Sequence, residues 1–259
     1  MKICICIIFI LYMSYTKTGR LLQVCSDLHL EHEDIVESNF PDIIRPCAEI
    51  LVLAGDIGDP FSEIFERFIT YCSKHFTFVL FVSGNHEYYN HTILQADQCI
   101  ERLFSYFTNV IYLNNRSFEY EGITFVGSTL WSSISGAGDK QSEIFISCKY
   151  HSISGFTPEQ CNTKFDTNLE FIKNIISKKE NVVVITHHAP SYKCISDEFI
   201  GSKLNVIFAT HLDDLLEHPN LIGWIYGHTH HNYIHYSDRR FLYANCYRTD
   251  TYNNSGVVL

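Results

Sequence analysis

Apolar residues recur along this chain in two periods. Continuous β-branched and aromatic runs at residues 21–26, 49–54, 77–82, 181–186 and 221–226 read as buried strands. Such runs have no solvent face and are bounded by Gly, His or Asp. Between them the spacing becomes helical. Residues 61–75 place Phe61, Ile64, Phe65, Phe68, Ile69 and Cys72 on one side, and residues 92–107 do the same with Ile93, Ala96, Ile100, Leu103, Phe104 and Phe107. A third helix opens with Thr157 as cap and Pro158 in the first helical position and runs to residue 178. Strands alternating with helices predict an α/β sheet fold.

The middle of the chain changes character. Residues 117–120 and 122–130 alternate around Glu121-Gly122 and predict a β-hairpin. Residues 131–155 are rich in Ser and Gly, with aromatics at no fixed period, and read as an excursion or lid near a site. A short helix is expected at 211–217. A closing hairpin is expected from 233–236 and 240–244, joined through Ser237-Asp238. Residues 3–13 form an apolar run behind Lys2, too short for a comfortable membrane span, and no small-x-small cleavage site follows it. The expected organisation is an N-terminal extension at 1–19 outside the fold and one domain at 20–259. An uncleaved signal or a short anchor is the alternative for the extension, and membrane association would run only through residues 3–13.

Five strand-like runs hand over to polar groups: Asp27-Leu28-His29, Gly55-Asp56, Gly84-Asn85-His86-Glu87, His187-His188 and Gly227-His228-Thr229-His230. Open α/β sheets keep their sites at the carboxyl ends of their strands. Asp27 and His29 stand two apart, as do His228 and His230, so extended backbone would project each pair to one side. Alone, each motif has an ordinary reading as a cap, a turn or a solvated loop. Together they can converge two carboxylates, an amide and four imidazoles. Oxygen and nitrogen donors without thiolate suit Mn, Fe or Zn.

Charge and cysteine usage narrow the picture. A net charge of -10 speaks against a general nucleic-acid surface, although a metal can supply positive charge locally for a phosphorylated substrate. The ten cysteines contain no Cys-x-x-Cys, which removes a zinc ribbon. Several lie in apolar runs and read as buried free thiols of a reducing compartment, the cytoplasm, with secretion or anchoring through the N-terminal run as the alternative.

Asp27-x-His29, Gly55-Asp56, Gly84-Asn85-His86-Glu87, Thr186-His187-His188-Ala189-Pro190 and Gly227-His228-Thr229-His230, in that order, resemble the calcineurin-like metallophosphoesterases. The resemblance runs from about residue 21 to the C-terminus. Gly127-Ser128-Thr129-Leu130-Trp131 is similar to a segment of one branch, with copies in bacteria and large DNA viruses. It implies a four-layer α/β/β/α sandwich of two mixed sheets with two divalent ions at the strand ends. By this resemblance one ion takes Asp27, His29, Asp56 and His230. The other takes Asp56, Asn85, His187 and His228, so that Asp56 bridges. The implied activity is hydrolysis of a phosphomonoester or phosphodiester by metal-activated hydroxide. His86 would stabilise developing charge or protonate the leaving oxygen, with Glu87 orienting its ring. Many members carry Asp where this chain has Glu87.

His188, His32, His91 and His231 are secondary candidates for the pocket lining. His188 could face substrate, His231 the surface, and Tyr88 and Tyr89 the rim. His75, His151, His211, His218 and His235 carry no site signal. Two other functions compete. One is a binding scaffold, since this fold also occurs in a retromer subunit with degraded metal sites; here all seven ligand positions are filled. The other is a nuclease, which would need a basic face or a capping domain.

Overall fold

The computed structural model describes residues 21–32, 35–237, 240–247, 249, 251–252 and 256–258. The extension expected at 1–19 lies outside the described residues. Strands β1 (Leu21–Cys25), β2 (Ile50–Ala54), β3 (Phe78–Val82) and β4 (Val110–Tyr112) form one sheet with β11 (Gly256–Val258), in the order β11-β1-β2-β3-β4. The second sheet runs β5-β6-β7-β8-β10-β9, from β5 (Arg116–Tyr120), β6 (Ile123–Ser128), β7 (Val182–Thr186), β8 (Leu221–Tyr226), β9 (Tyr233–Ser237) and β10 (Arg240–Ala244). Both sheets are mixed: parallel in their centres, with β11, β5 and β9 antiparallel at the edges.

Alternation along the strands builds the layers. Leu22 and Val24 of β1, Ile50, Val52 and Ala54 of β2, and Leu80 and Val82 of β3 face Phe125, Val183, Ile185 and Ile225 of the second sheet. The intervening residues, Cys25, Leu51, Leu53, Val79 and Phe81, face outward. They are covered by helix α1 (Glu63–His75) through Phe65, Phe68, Ile69 and Cys72, and by α2 (Ile93–Phe104) through Ile100 and Leu103. On the far side Val126, Val182, Val184, Trp224 and Tyr226 pack with Phe165, Ile172 and Ile176 of a long helix, Pro158–Ile176. The result is the expected four-layer sandwich.

The helices begin where side chains can satisfy their first amides. Ser62 Oγ accepts from Phe65 N at 3.3 Å, and Thr92 with Gln95 and Thr157 with Gln160 form reciprocal capping boxes. The expected starts at 61 and 92 therefore move to residues 63 and 93. Strands β4 and β11 had not been foreseen, nor had the single-turn helices Phe40–Ile43 and Asn205–Phe208. Each is too short to display a period.

The stretch 131–155 is not a loose lid. It contains helix α3 (Gln141–Ser147) between two 3-10 turns, which makes Pro158–Ile176 helix α4. Trp131, Ile134, Ile144, Phe145, Tyr150 and Ile153 are buried in the outer core of the second sheet, and Trp131 packs on Tyr150 and Phe156 with ring centres 5.3 and 4.8 Å away. The aromatics that looked aperiodic are the packing of an insert held by non-local contacts.

None of the eight cysteines among the described residues forms a disulfide, and six of them are buried. No helix of the described residues is long and apolar enough to cross a membrane.

The two sheets approach closely at Gly127 of β6. A Cβ there would lie 2.1 Å from Leu113 Cβ and 2.8 Å from Val82 Cγ1. Gly127→Ala is expected to cost about 1–3 kcal/mol through overpacking, or roughly 2–4 °C of Tm for each kcal/mol in a domain of this size. Thermal unfolding of the variant checks this, and an unchanged Tm would show that the sheets can part without cost.

Candidate metal centre

The five polar motifs lie together at the carboxyl ends of β1, β2, β3, β7 and β8. Past the strands the loops still pair: Asp27 N donates to Gly55 O (3.0 Å), His29 N to Asp56 O (3.1 Å) and Leu30 N to Ile57 O (2.9 Å). Backbone conformation departs from the extended form expected for Asp27/His29 and His228/His230. Asp27, His29, Asp56, His228 and His230 all have φ between 47° and 66°. In the left-handed region each chain end doubles back, which is how donors two residues apart reach one point. Asp and His tolerate this region better than most residues, at a cost of about 1–3 kcal/mol apiece. Asn85 is αR and His86 opens a 3-10 turn, so that pair is not extended either.

Three groups of donors result; one is His29, Glu31 and His86, and the other two are built wholly from the expected ligand positions. Asp27, His29 and His230 each offer one atom within 4.8 Å of the others, and so do Asp56, His187 and His228. In the first, His29 Nε2 is 3.4 Å from His230 Nε2, which is 3.4 Å from Asp27 Oδ1. In the second, His187 Nε2 lies 3.2 Å from Asp56 Oδ2 and 3.1 Å from His228 Nδ1. His187 Nδ1 is 2.9 Å from Ala54 O, a carbonyl that can only accept, so the proton of a neutral His187 sits on Nδ1. Its Nε2 then turns a lone pair toward a carboxylate oxygen and a second imidazole. Two small residues keep this space clear. A Cβ on Gly84 would stand 2.2 Å from Asp56 Oδ1 and 2.7 Å from His187 Nε2, and one on Gly55 would stand 2.4 Å from His187 Nδ1.

Ring nitrogens and carboxylate oxygens that meet this closely share either a proton or a metal ion, and the donor set fits a divalent metal. Asn85 Oδ1 supports the same conclusion: it is buried and has no hydrogen-bond partner, as is His228 Nε2. A proton is the smallest cation that relieves the crowding. Burial lowers the pKa of His187, but the Asp56 charge and hydrogen bond outweigh it and raise it to about 9. His29 is likewise held down by burial, yet raised to about 8 by its bond to Glu31 and the charges of Asp56 and Asp27. Burial opposes ionisation of Asp56, and the neighbouring His187 and His86 pull its pKa well below the ordinary range.

Glu87 does not orient His86. Its carboxylate is fully buried and accepts backbone N–H groups from Asp56 (3.1 Å), Ile57 (2.7 Å), Gly58 (3.3 Å) and Gly84 (2.7 Å). Burial and the Asp56 charge push its pKa up, against His187 and these amides. The residue that holds His86 is Glu31, whose Oε1 is 2.8 Å from His86 Nδ1 and 3.3 Å from His29 Nδ1. Burial works against the Glu31 charge, but the two imidazoles bring its pKa down to about 2. Burial also lowers the pKa of His86, and Asp56 with Glu31 reverses the sign. The sequence did carry a signal for Glu31, since it continues the alternation Asp27-x-His29-x-Glu31.

The secondary candidates are placed as follows. His188 does not face substrate. It is buried, with Nδ1 on Thr129 O (3.1 Å) and Nε2 on Tyr150 Oη (2.7 Å), and burial brings its pKa down to about 3, so it is a neutral wall behind His228. His91 stacks on Phe61 and His231 lies beside Tyr233, both apart from the donor groups. His32 is exposed, edge-on to His29. Tyr88 is buried on Asp97 and Tyr112 rather than at the rim. Tyr89 is half-buried: it accepts from Asn85 Nδ2 at 2.8 Å, donates to Cys148 O at 3.1 Å, and its ring lies 4.4 Å from that of His86.

Comparison with known proteins bears on this geometry. The sequence profile of the calcineurin-like phosphoesterases matches residues 22–232. An uncharacterized protein of Acanthamoeba polyphaga mimivirus is 33% identical over 244 residues, covering 82% of this chain and 85% of that protein. The fold is similar to that of a phosphopantetheinyl hydrolase from Mycobacterium tuberculosis, with a TM-score of 0.64, 18% identity, and coverage of 88% of this chain and 89% of that one. It is also similar to that of a dimetal phosphatase from Danio rerio, with a TM-score of 0.54, 14% identity, and coverage of 88% and 87%.

Replacing Glu87 tests its structural role. Glu87→Gln exchanges one acceptor oxygen for an NH2 group that faces backbone N–H donors. The expected loss is about 1–3 kcal/mol, the cost of leaving buried polar groups unsatisfied, seen as a lower denaturation midpoint. A full-stability variant with an altered His86 environment would return Glu87 to the orienting role.

Proposed function

From the premise that the chain belongs to the calcineurin-like phosphoesterase family, we propose that it cleaves a phosphomonoester or phosphodiester at a dinuclear centre of manganese, iron or zinc. The family makes it a metal-dependent hydrolase of phosphoester bonds, and the seven filled ligand positions favour this over the scaffold alternative. The observation that carries the dinuclear reading is the pair of donor groups, each with acceptor atoms turned toward one another. Asp27, His29, Asp56 and His230 would hold one ion, and Asp56, Asn85, His187 and His228 the other. Bound there, the ions supply positive charge for the phosphate and make water a competent nucleophile near neutral pH.

The remaining chemistry belongs to side chains. His86 is half-buried, with Nδ1 held by Glu31 Oε1 and Nε2 left at 3.9 Å from Asp56 Oδ2, outside hydrogen-bond range. Nε2 is therefore the atom that can reach substrate. With its Nδ1–H given to Glu31, a protonated His86 presents Nε2–H to the leaving oxygen and loses that proton as the ester bond breaks. Glu31 steadies the charged ring, and the Tyr89 ring backs it.

The substrate class is read by a panel assay with added Mn2+: p-nitrophenyl phosphate, its bis-ester, cyclic nucleotides and a phosphopeptide. Chelation is expected to abolish turnover and Mn2+ to restore it. Asp56→Asn should lose most bound metal and nearly all rate; native-like metal content and rate in that variant would sink the centre as assigned.

His86→Asn separates proton transfer from metal binding. The variant is expected to keep its metal and lose rate by roughly 10²–10⁴-fold on alkyl phosphates, the usual worth of a positioned acid. The loss should be smaller on p-nitrophenyl esters, whose leaving group needs little protonation. Equal losses on both would assign His86 to charge stabilisation.

A further inference from the structure

The amide of Asn85 has one face committed and one face open. Nδ2 donates to Tyr89 Oη at 2.8 Å, and Oδ1 is buried without a partner. What decides which atom takes which face lies outside the metal centre, in the insert at 131–155. Tyr89 Oη is 3.1 Å from the carbonyl of Cys148. Cys148 is the C-cap of helix α3, where carbonyls have no partner inside the helix. A carbonyl can only accept. The hydroxyl proton of Tyr89 therefore points at Cys148, its lone pairs turn toward Asn85, and the amide must meet them with NH2. The oxygen is left for the cation. Reversing the amide would set two acceptors against each other or strip Cys148 O of its donor.

The insert is placed to enforce this. Asn90 N donates to Ser152 O (2.8 Å) and Ser154 N to His91 O (2.9 Å), so the loop is fastened to the insert by two backbone bonds immediately after Tyr89. Trp131 and Tyr150 anchor the insert in the core.

We propose that Tyr89, with the carbonyl of Cys148, is a positioning residue that fixes the Asn85 amide oxygen toward the cation site, so that the 131–155 insert sets metal affinity at that one position. The inference rests on the reading of Asn85 as a ligand. It assigns Tyr89 no contact with substrate.

The test is a calorimetric titration of the full-length chain with Mn2+ alone, on the native protein, Tyr89→Phe, Asn85→Asp and the double variant. Tyr89→Phe keeps the ring and removes only the hydroxyl. It is expected to weaken one of two Mn2+ binding steps by about 10–100-fold, the usual effect of losing a group that orients a ligand, and to leave the other within about twofold. Asn85→Asp has two equivalent oxygens and cannot be misoriented. In that background the same Tyr89→Phe change is expected to cost no more than about twofold, a coupling that a merely structural hydroxyl would not produce. Circular dichroism and Tm establish that each variant is folded. A native chain that binds two Mn2+ while Tyr89→Phe weakens neither step, weakens both equally, or carries the same penalty in both backgrounds overturns the positioning role and spares the dinuclear reading. A native chain that binds no second Mn2+ overturns both.

Discussion

Acceptor atoms held face to face are the constraint on which the rest of this structure depends. His187 Nε2 lies within 3.2 Å of both Asp56 Oδ2 and His228 Nδ1, and His29, His230 and Asp27 crowd a second point. Shared protons, imidazole to imidazole and imidazole to carboxylate, hold these contacts together, each standing where a metal ion could. Positive charge strengthens them: His187 and His29 hold a proton more tightly than a free imidazole, whereas burial beside other imidazoles lowers the pKa of His228. A scaffold that keeps such atoms together must be rigid. Five left-handed residues in the ligand loops add to the demand, and their strain is balanced by a fully buried inter-sheet core.

Glu87 shows how that rigidity is distributed. One carboxylate gathers amides from the β2 loop, at Asp56, Ile57 and Gly58, and from the β3 loop, at Gly84. A buried carboxylate is costly unless its oxygens are filled, and here four N–H groups fill them. An Asp at this position would be one methylene shorter; Glu spans from its own 3-10 turn back to Gly84 and across to the neighbouring loop. The work of orienting His86 passes to Glu31, which holds His86 and His29 with one oxygen. The proposed metal ligand His29 and the proposed proton donor His86 thus share one anchor.

Much of this was legible in the sequence, for a physical reason. Parallel strands buried on both faces leave long apolar runs, and a site at their carboxyl ends leaves His, Asp and Gly immediately after them, so strands and ligand positions could be read together. The predictions at Asp56, His187 and the flanking pairs concern atoms that do lie side by side. What was not legible depends on non-local packing. The sign of φ at Asp27 or His230 is imposed by the neighbouring loop, not by residue type. The expectation that Glu87 serves the histidine beside it in sequence failed because a 3-10 turn carries its side chain away from that ring. The insert at 131–155 looked like a lid because α3 is two turns long and its aromatics are buried against residues far along the chain.

The centre also belongs to both sheets at once. Asp27, His29, Asp56 and Asn85 come from the first, His187, His228 and His230 from the second. The contacts that join them include His187 Nδ1 on Ala54 O, His228 N on the Asp27 carboxylate, His187 Nε2 beside Asp56 and His230 beside Asp27 and His29. Docking of the sheets is therefore a condition for assembling the donors, and ions bound by donors from both sheets add to the docking in return. Binding that favours the native chain alone stabilises it by RT ln(1 + [L]/Kd), about 2.7 kcal/mol at a hundredfold excess over Kd. For a domain whose whole stability is on the order of 5–15 kcal/mol, that is a large share. The strained loops at the strand ends, unfavourable taken singly, are thus part of an arrangement in which holding the cations and holding the two sheets together are the same interaction.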